Sequence, residues 1–398
     1  MPRSQLPWLE SHAVDLERFR FRPGNGLNFT SKSEKFALSI GARAQMLYTL
    51  DHDQQDDPSL NHSFQVRRAR LVFGGHVFGK HTKYKIELSL SPRDVGLGPG
   101  GTRFTIMRDY YFDFDRLRDL SVRVGQYKVP YSLQRVISSG KLQLNDRSIV
   151  GPEFDFDREI GLDLRSEDFL GLGRLRYYAG VYFGGGRDNF AAEPVIRGGG
   201  LVYLARIEVL PFGMFDDYTE GDFARRMKPR LALGGTYSYM DEATYNRGTK
   251  GQTFSDGGTA DYHNANASLV FHMAGFSLMG EFFWRRGVRH PGDAMLEDEL
   301  GELVPAPIEA PRNAMGWYAQ AGYMIPRVPV ELAARHSQIR ALGSPKSTSS
   351  RDRNELGGGI SWYIAGHAYK LQLDYFRLWD EVIGEGRDQV RLQLQIAL

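Results

Sequence analysis

Residues 123–148 read RVGQYKVPYSLQRVISSGKLQLNDRS. The stretch starts as a strand: Val122 and Val124 alternate with Arg123 and Gly125, giving one apolar face and one polar face. Pro130 then ends the ladder, because a proline has no amide hydrogen to donate. No further clear alternation appears until Arg158. Structureless connections longer than about 12–15 residues are uncommon in compact folds and are usually functional. This one carries Lys128, Arg135, Lys141 and Arg147 at irregular spacing. A strand that turns abruptly into a long basic loop suggests a wall with a loop folded into its mouth. The rest of the chain follows the same grammar.

Period-two alternation fills the sequence from Phe36 onward. Phe36, Leu38, Ile40, Ala42, Ala44, Met46 and Tyr48 share one parity, and Ser39, Gly41, Arg43 and Gln45 share the other. That is long enough for a tilted strand to cross a bilayer. In the next segment Ala69, Leu71 and Phe73 oppose Arg68 and Arg70; then Tyr84, Ile86, Leu88 and Leu90 oppose Lys83, Lys85 and Glu87. Ile160, Leu162 and Leu164 oppose Asp163 and Arg165, and Leu175, Tyr177, Ala179 and Val181 oppose Arg174 and Arg176. Counted to the C-terminus, the pattern predicts sixteen strands. Short connections (FGKH, DRLRD, DFLGLG, HMAGF, IPRV, IAGH) alternate with long ones. Leu210–Lys228 breaks that rhythm, being long where a short turn is due. An even strand number with alternating turn lengths is the pattern of a transmembrane antiparallel β-barrel, and a soluble β-sandwich has no reason to produce it. The final strand runs Val390, Leu392, Leu394, Ile396, Leu398, so it can pair with the first strand and remove the sheet edges. It ends on Leu398 rather than on an aromatic residue.

The totals agree. The chain has 398 residues, a formal net charge of +2 and 25% charged residues. No apolar run approaches the roughly 18 residues a membrane helix needs, and the mean hydropathy of −0.41 fits strands that alternate lipid-facing and lumen-facing side chains. The 24 Phe and 20 Tyr suit interfacial girdles, as do Trp284, Trp317, Trp362 and Trp379 near strand ends. Cysteine is absent, which removes disulfides and thiolate chemistry. A charge balance this close to zero argues against a nucleic-acid partner. The ten His show no metal-ligand spacing, no Ser lies in a nucleophile elbow, and the Gly-rich Gly184–Arg187 precedes no helix, so no catalytic residue, metal or cofactor is expected. Residues 1–28 are aperiodic and are expected to form an arm outside the barrel, with a short helix over Trp8–Phe19; residues 29–398 form the barrel. The chain's first residues lack a signal-peptide core; if the protein is exported, this sequence is a processed or recombinant form.

Four stretches resemble the phosphate-selective porin O and P family of Gram-negative outer membranes. They are GLNFTSKSEKFALSIGARAQ, QVRRARLVFGG, MRDYYFDF and LSVRVGQYKVPYSLQRVISSGKLQLNDRS, the last being the closest. The resemblance implies a sixteen-stranded trimeric barrel with an inward-folded third loop, whose anion-selective constriction is formed by basic residues of wall and loop. On that basis Arg67 and Arg68 match a double arginine of the second strand, and Lys128 and Arg135 fall where the third loop presents basic groups.

The expected constriction therefore comprises Arg67, Arg68, Arg70, Lys128, Arg135, Lys141 and Arg147, with the loop's bases facing Arg67 and Arg68 across the lumen. Arg43, Lys83, Lys85, Arg123 and Arg165 line the wall. Rings of Arg and Lys are a known device of anion pores. Glu87, Asp109, Asp113 and Asp163 are available to pair with these bases, as in a non-selective pore. The expected solutes are small anions such as chloride or phosphate, and the expected surroundings are outer-membrane lipid and lipopolysaccharide. The acidic outer loops DHDQQDD and DAMLEDELGEL fit solvated loops or divalent-cation contacts with lipopolysaccharide. A barrel enzyme and a plugged structural barrel are the readings from other classes.

Overall fold

A computed structural model describes residues 16–54, 59–95, 106–187, 200–343, 351–380 and 386–398. Its strands in chain order are β1 (Leu16–Arg22), β2 (Gly26–Ser31), β3 (Ala37–Asp53), β4 (Ser59–His76), β5 (Thr82–Ser89), β6 (Met107–Leu117), β7 (Leu120–Lys128), β8 (Arg158–Ser166), β9 (Leu175–Tyr182) and β10 (Val202–Val209). The second half holds β11 (Arg230–Ala243), β12 (Thr259–Met273), β13 (Phe276–His290), β14 (Met295–Glu297), β15 (Leu303–Pro305), β16 (Ala314–Met324), β17 (Val330–Ala341), β18 (Arg353–His367), β19 (Tyr369–Asp380) and β20 (Arg387–Ala397). Each strand from β3 to β13 pairs antiparallel with the next, β13 pairs with β16, and pairing continues to β20. β20 then pairs with β3, from Arg387↔Asp53 to Ala397↔Arg43, closing a ring of sixteen strands. β14 and β15 form a separate small hairpin within one long connection.

The outer face carries the apolar parity. Met46, Ile86, Phe112, Leu162, Val181, Phe282, Leu332, Ile360, Leu373 and Leu392 are all exposed. An apolar band this continuous on a closed barrel belongs in lipid. Placing arginine at Leu373, in the outward parity of β19, should destabilise the refolded protein by about 2–4 kcal/mol. Urea titration in lipid vesicles would read this, and an unchanged midpoint would take Leu373 off the lipid face.

The N-terminal segment differs from the expectation. Leu16–Arg22 is a strand, so the C-terminal end of the helix expected over Trp8–Phe19 is extended instead; the rest of it lies outside the described residues. β1 and β2 form a hairpin, and β2 pairs with β3 from Leu27↔Ile40 to Thr30↔Ala37. It takes the edge of β3 that β20 leaves open past the C-terminus. The Phe19 and Phe29 rings pack at a tilt across the hairpin, 5.3 Å between centroids.

Two bulges change which way side chains point. Gln45 pairs with Arg68 but Met46 pairs with Val66, so Arg67 is the extra residue in β4. Before the bulge Phe64 and Val66 face outward; after it Leu71 and Phe73 take the outward parity, and Arg67 and Arg68 are both buried inside. In β6, Glu87 pairs with Asp109 but Leu88 pairs with Met107, and Arg108 and Asp109 both turn inward. Beside this second bulge Gly125 has φ +130°, and a Cβ there would overlap the Tyr110 carbonyl oxygen.

The hydrophobic core sits inside the ring. Tyr131, Leu133, Ile137, Leu142, Val150, Phe154 and Phe156, all from the connection between β7 and β8, pack against Tyr182, Leu204, Tyr262, Phe283, Tyr318 and Ile339 of the wall. The connection thus lies against β9–β19 and leaves a cavity on the β3–β8 side.

Candidate functional site

Inside a barrel, the backbone of a long loop has no neighbouring strand to satisfy it, yet its buried polar groups must find partners. Here the wall's side chains supply them. Glu281 accepts from the backbone N–H groups of Leu133 (2.7 Å) and Gln134 (2.9 Å) and from the Ser132 hydroxyl (3.1 Å). Asp374 accepts from the Asn145 N–H at 3.0 Å. Lys370 donates to the Leu142 carbonyl at 2.7 Å, and Arg335 to the Asp146 carbonyl at 2.8 Å. The Ser132 hydroxyl also caps the single helical turn Leu133–Val136, accepting from the Arg135 N–H. These bonds fix the loop against one side of the lumen.

On the other side a cavity of about 760 Å³ remains between the loop and strands β3–β8. Among the described residues, thirteen arginines and lysines line it against four carboxylates, an excess of positive lining charge. Arg67, Arg68, Arg70, Lys128, Arg135 and Arg147, expected at the constriction, line it together with Arg43, Lys85 and Arg123, expected on the wall. That expectation omits Arg108, Arg158, Arg187 and Lys250. The parity change in β6 is the sequence signal for Arg108. Arg187 and Lys250 reach the cavity from other outer loops and carry no such signal.

Three expected residues lie elsewhere. Lys141 is not in the cavity lining; it stands behind the loop, 3.5 Å from Asp216. Lys83 pairs with Asp115 at 2.5 Å near the short-turn end, and its side chain is half exposed. Arg165 pairs with Asp163 at 2.5 Å and lies 5.2 Å over the Tyr178 ring.

The arrangement around the double arginine also departs from expectation. The loop does not oppose Arg67 and Arg68 with bases; it meets them with Asp146, at 2.8 Å from each guanidinium. Burial alone would raise the Asp146 carboxyl, but Arg68 and Arg67 outweigh it and hold the group well below the usual carboxylate range. Other bases are paired too. Arg70 contacts Glu87 (3.0 Å) and Asp94 (2.6 Å), and Arg158 contacts Asp109 (2.5 Å) and Asp157 (3.1 Å). Lys85 contacts Asp109 at 2.5 Å, Arg123 contacts Asp113 at 2.6 Å, and Arg135 pairs with Asp157. Burial opposes ionisation of Asp94, but Arg108 and Arg70 bring its carboxyl down to about 2.

Three bases differ. Arg43 donates to the Ser138 (3.0 Å) and Ser139 (2.9 Å) hydroxyls. Lys128 donates to the carbonyls of Val136 (3.1 Å) and Ile137 (3.2 Å), and Arg147 to those of Gln134 (2.7 Å) and Ile137 (2.6 Å). Among the described residues none of the three forms an ion pair; each is held by neutral oxygens. Burial, then the charge of Arg135, lowers Arg147 to about 10, which leaves it protonated at neutral pH. The buried Nε groups of Arg43, Arg70, Arg108 and Arg135 have no hydrogen-bond partner among the described residues.

The model of the family described as phosphate-selective porin O and P matches residues 38–388. An uncharacterized protein of Aquifex aeolicus (strain VF5) is 23% identical over 378 residues, covering 87% of this chain and 82% of that one. Among solved structures, the anion-selective porin from Comamonas acidovorans superposes with a TM-score of 0.54 at 11% identity, covering 91% of this chain and 99% of its own. OprB of Pseudomonas putida superposes with a TM-score of 0.57 at 9% identity, covering 92% and 94%. At such identities the likeness to solved structures is one of fold.

Proposed function

Because the chain belongs to the phosphate-selective porin O and P family, we propose that the cavity beside the loop is the narrow part of a passive pore that favours anions. The protein is an outer-membrane porin channel; the preference is the finer reading. The observation that carries it is the lining of thirteen bases to four acids, with Arg43, Lys128 and Arg147 held by neutral oxygens. Fixed charge in a narrow, low-dielectric passage concentrates counter-ions over a longer reach than in bulk. Arginine forks match the oxygens of phosphate. Bases spread over several strands give many weak sites rather than one deep trap, which suits conduction.

The same reading makes the protein non-enzymatic. It places the barrel in a Gram-negative outer membrane, among lipopolysaccharide, as a homotrimer. A general, weakly selective pore is the second reading, favoured by the many pairs such as Arg70–Glu87 and Arg158–Asp109.

Planar-bilayer recordings under a KCl gradient separate the two. The expected reversal potential has the sign of chloride preference, and added phosphate should reduce the chloride current. A reversal potential near zero or of the opposite sign would leave the general pore as the answer.

A further inference from the structure

The connection between β10 and β11, residues 210–229, lies at the short-turn end yet does not make a short turn. It enters the lumen beneath the loop. Asp217, Thr219, Glu220 and Asp222 are all buried. One end is tied to the β9–β10 wall: Asp217 accepts from Arg176 at 2.7 and 3.0 Å, and the Tyr218 hydroxyl donates to Glu208 at 2.8 Å. The other end is tied further round the ring. Asp222 accepts from the Gly275 N–H at 2.7 Å, and Phe223 packs edge-on against Tyr363 at 4.7 Å. The segment therefore spans the lumen as a transverse beam.

Its middle clasps the back of the pore loop. The Glu220 carboxylate accepts from the Gln143 N–H (2.8 Å), from Gln134 Nε2 (3.1 Å) and from Gln320 Nε2 (2.9 Å). The Glu220 N–H donates back to the Lys141 carbonyl at 3.4 Å. Asp216 adds its contact to Lys141. Glu281 and Asp374, the carboxylates that take the loop's other N–H groups, stand on wall strands; Glu220 does not. It reaches the loop from the opposite end of the barrel.

We infer that the 210–229 connection is a brace that sets the width of the pore, with Glu220 as the positioning residue that seats the loop. This rests on the pore reading above. A loop held only from the wall could rock into the space beside it; Glu220 bridges the loop strand at Gln143 to its helical turn at Gln134 and to the wall at Gln320.

The test is single-channel recording of Glu220→Ala and Glu220→Gln, each checked for folding by heat-modifiable mobility in SDS gels. Removing a charge-assisted acceptor should lower the seated-to-displaced ratio of the loop by roughly tenfold, read as more time in sub-conductance levels. Glu220→Gln keeps an acceptor oxygen and should recover part of the wild-type behaviour. Folded E220A channels with wild-type sub-level occupancy would overturn the brace. If E220A does not fold, E220Q decides alone: wild-type occupancy sinks the brace, and raised occupancy supports it. Absence of channels in the wild type would sink the pore reading instead, so the two failures are distinguishable.

Discussion

Replacing Arg67 and Arg68 together with glutamine should sharply weaken the channel's anion preference. The bulge in β4 puts both side chains into the lumen, and both hold Asp146. The double variant removes two positive charges and leaves a carboxylate without its partners. A charge some 8 Å from a passing ion changes that ion's energy by about 1–2 kcal/mol at an effective dielectric constant of 20–40. The anion-to-cation permeability ratio should therefore fall roughly tenfold or more. The shift should shrink in concentrated salt, where screening shortens the reach of each charge. Asp146→Asn makes the opposite change, freeing both guanidiniums, and should move the reversal potential further towards anions. Arg118→Gln, at an exposed turn, should leave it where it was. If the double variant and D146N shift the potential in the same direction, charge at this triad does not set selectivity.

The second large effect is expected at Glu281. Its carboxylate takes the N–H groups of Leu133 and Gln134 and the Ser132 hydroxyl, in the buried back of the loop, and the hydroxyl of Tyr318 on the wall. Glu281→Ala leaves those donors without an acceptor in a dry setting. Each buried donor so stranded costs on the order of 1–3 kcal/mol, so the folded state should lose about 3 kcal/mol or more. Because the lost bonds tie down the start of the loop, the loop should move off the wall into the cavity and the unitary conductance should fall. Urea refolding midpoints and bilayer conductance measure the two parts separately. Wild-type values in both would show that the loop is held by its apolar side chains alone.

The barrel was legible because its code is local. Alternation is written residue by residue along each strand, and turn length marks the two ends. The charged site was legible only as a set of residue types. Arg67 and Arg68 are adjacent, and strict alternation would send one of them into lipid. The register slip that saves both shows in the sequence as the change from outward Phe64 and Val66 to outward Leu71 and Phe73. The partner of the pair, Asp146, sits 78 residues beyond Arg68 and nothing local connects them. Lys128 and Arg147 look from the sequence like free bases, but each is fixed by carbonyls of its own loop. Lys141 has the same residue type and the same loop, yet faces the brace, because the chain reverses around Gly140 where a side chain would strike Arg43. The long 210–229 connection registered only as a break in rhythm. Its direction depends on partners such as Gln143 and Gln320 that lie far away in sequence.

The hairpin on the lower edge of β3 bears on the order of assembly. The ring closes between β3 and β20, the first and last wall strands to leave the ribosome, and pairing such distant segments is slow. Until then β3 presents a raw edge of the kind that recruits the wrong strand. β1 and β2 are adjacent in the chain and can occupy the 37–40 stretch of that edge at once. A nascent barrel protected there has only the 43–53 stretch of that edge left to pair with the last strand.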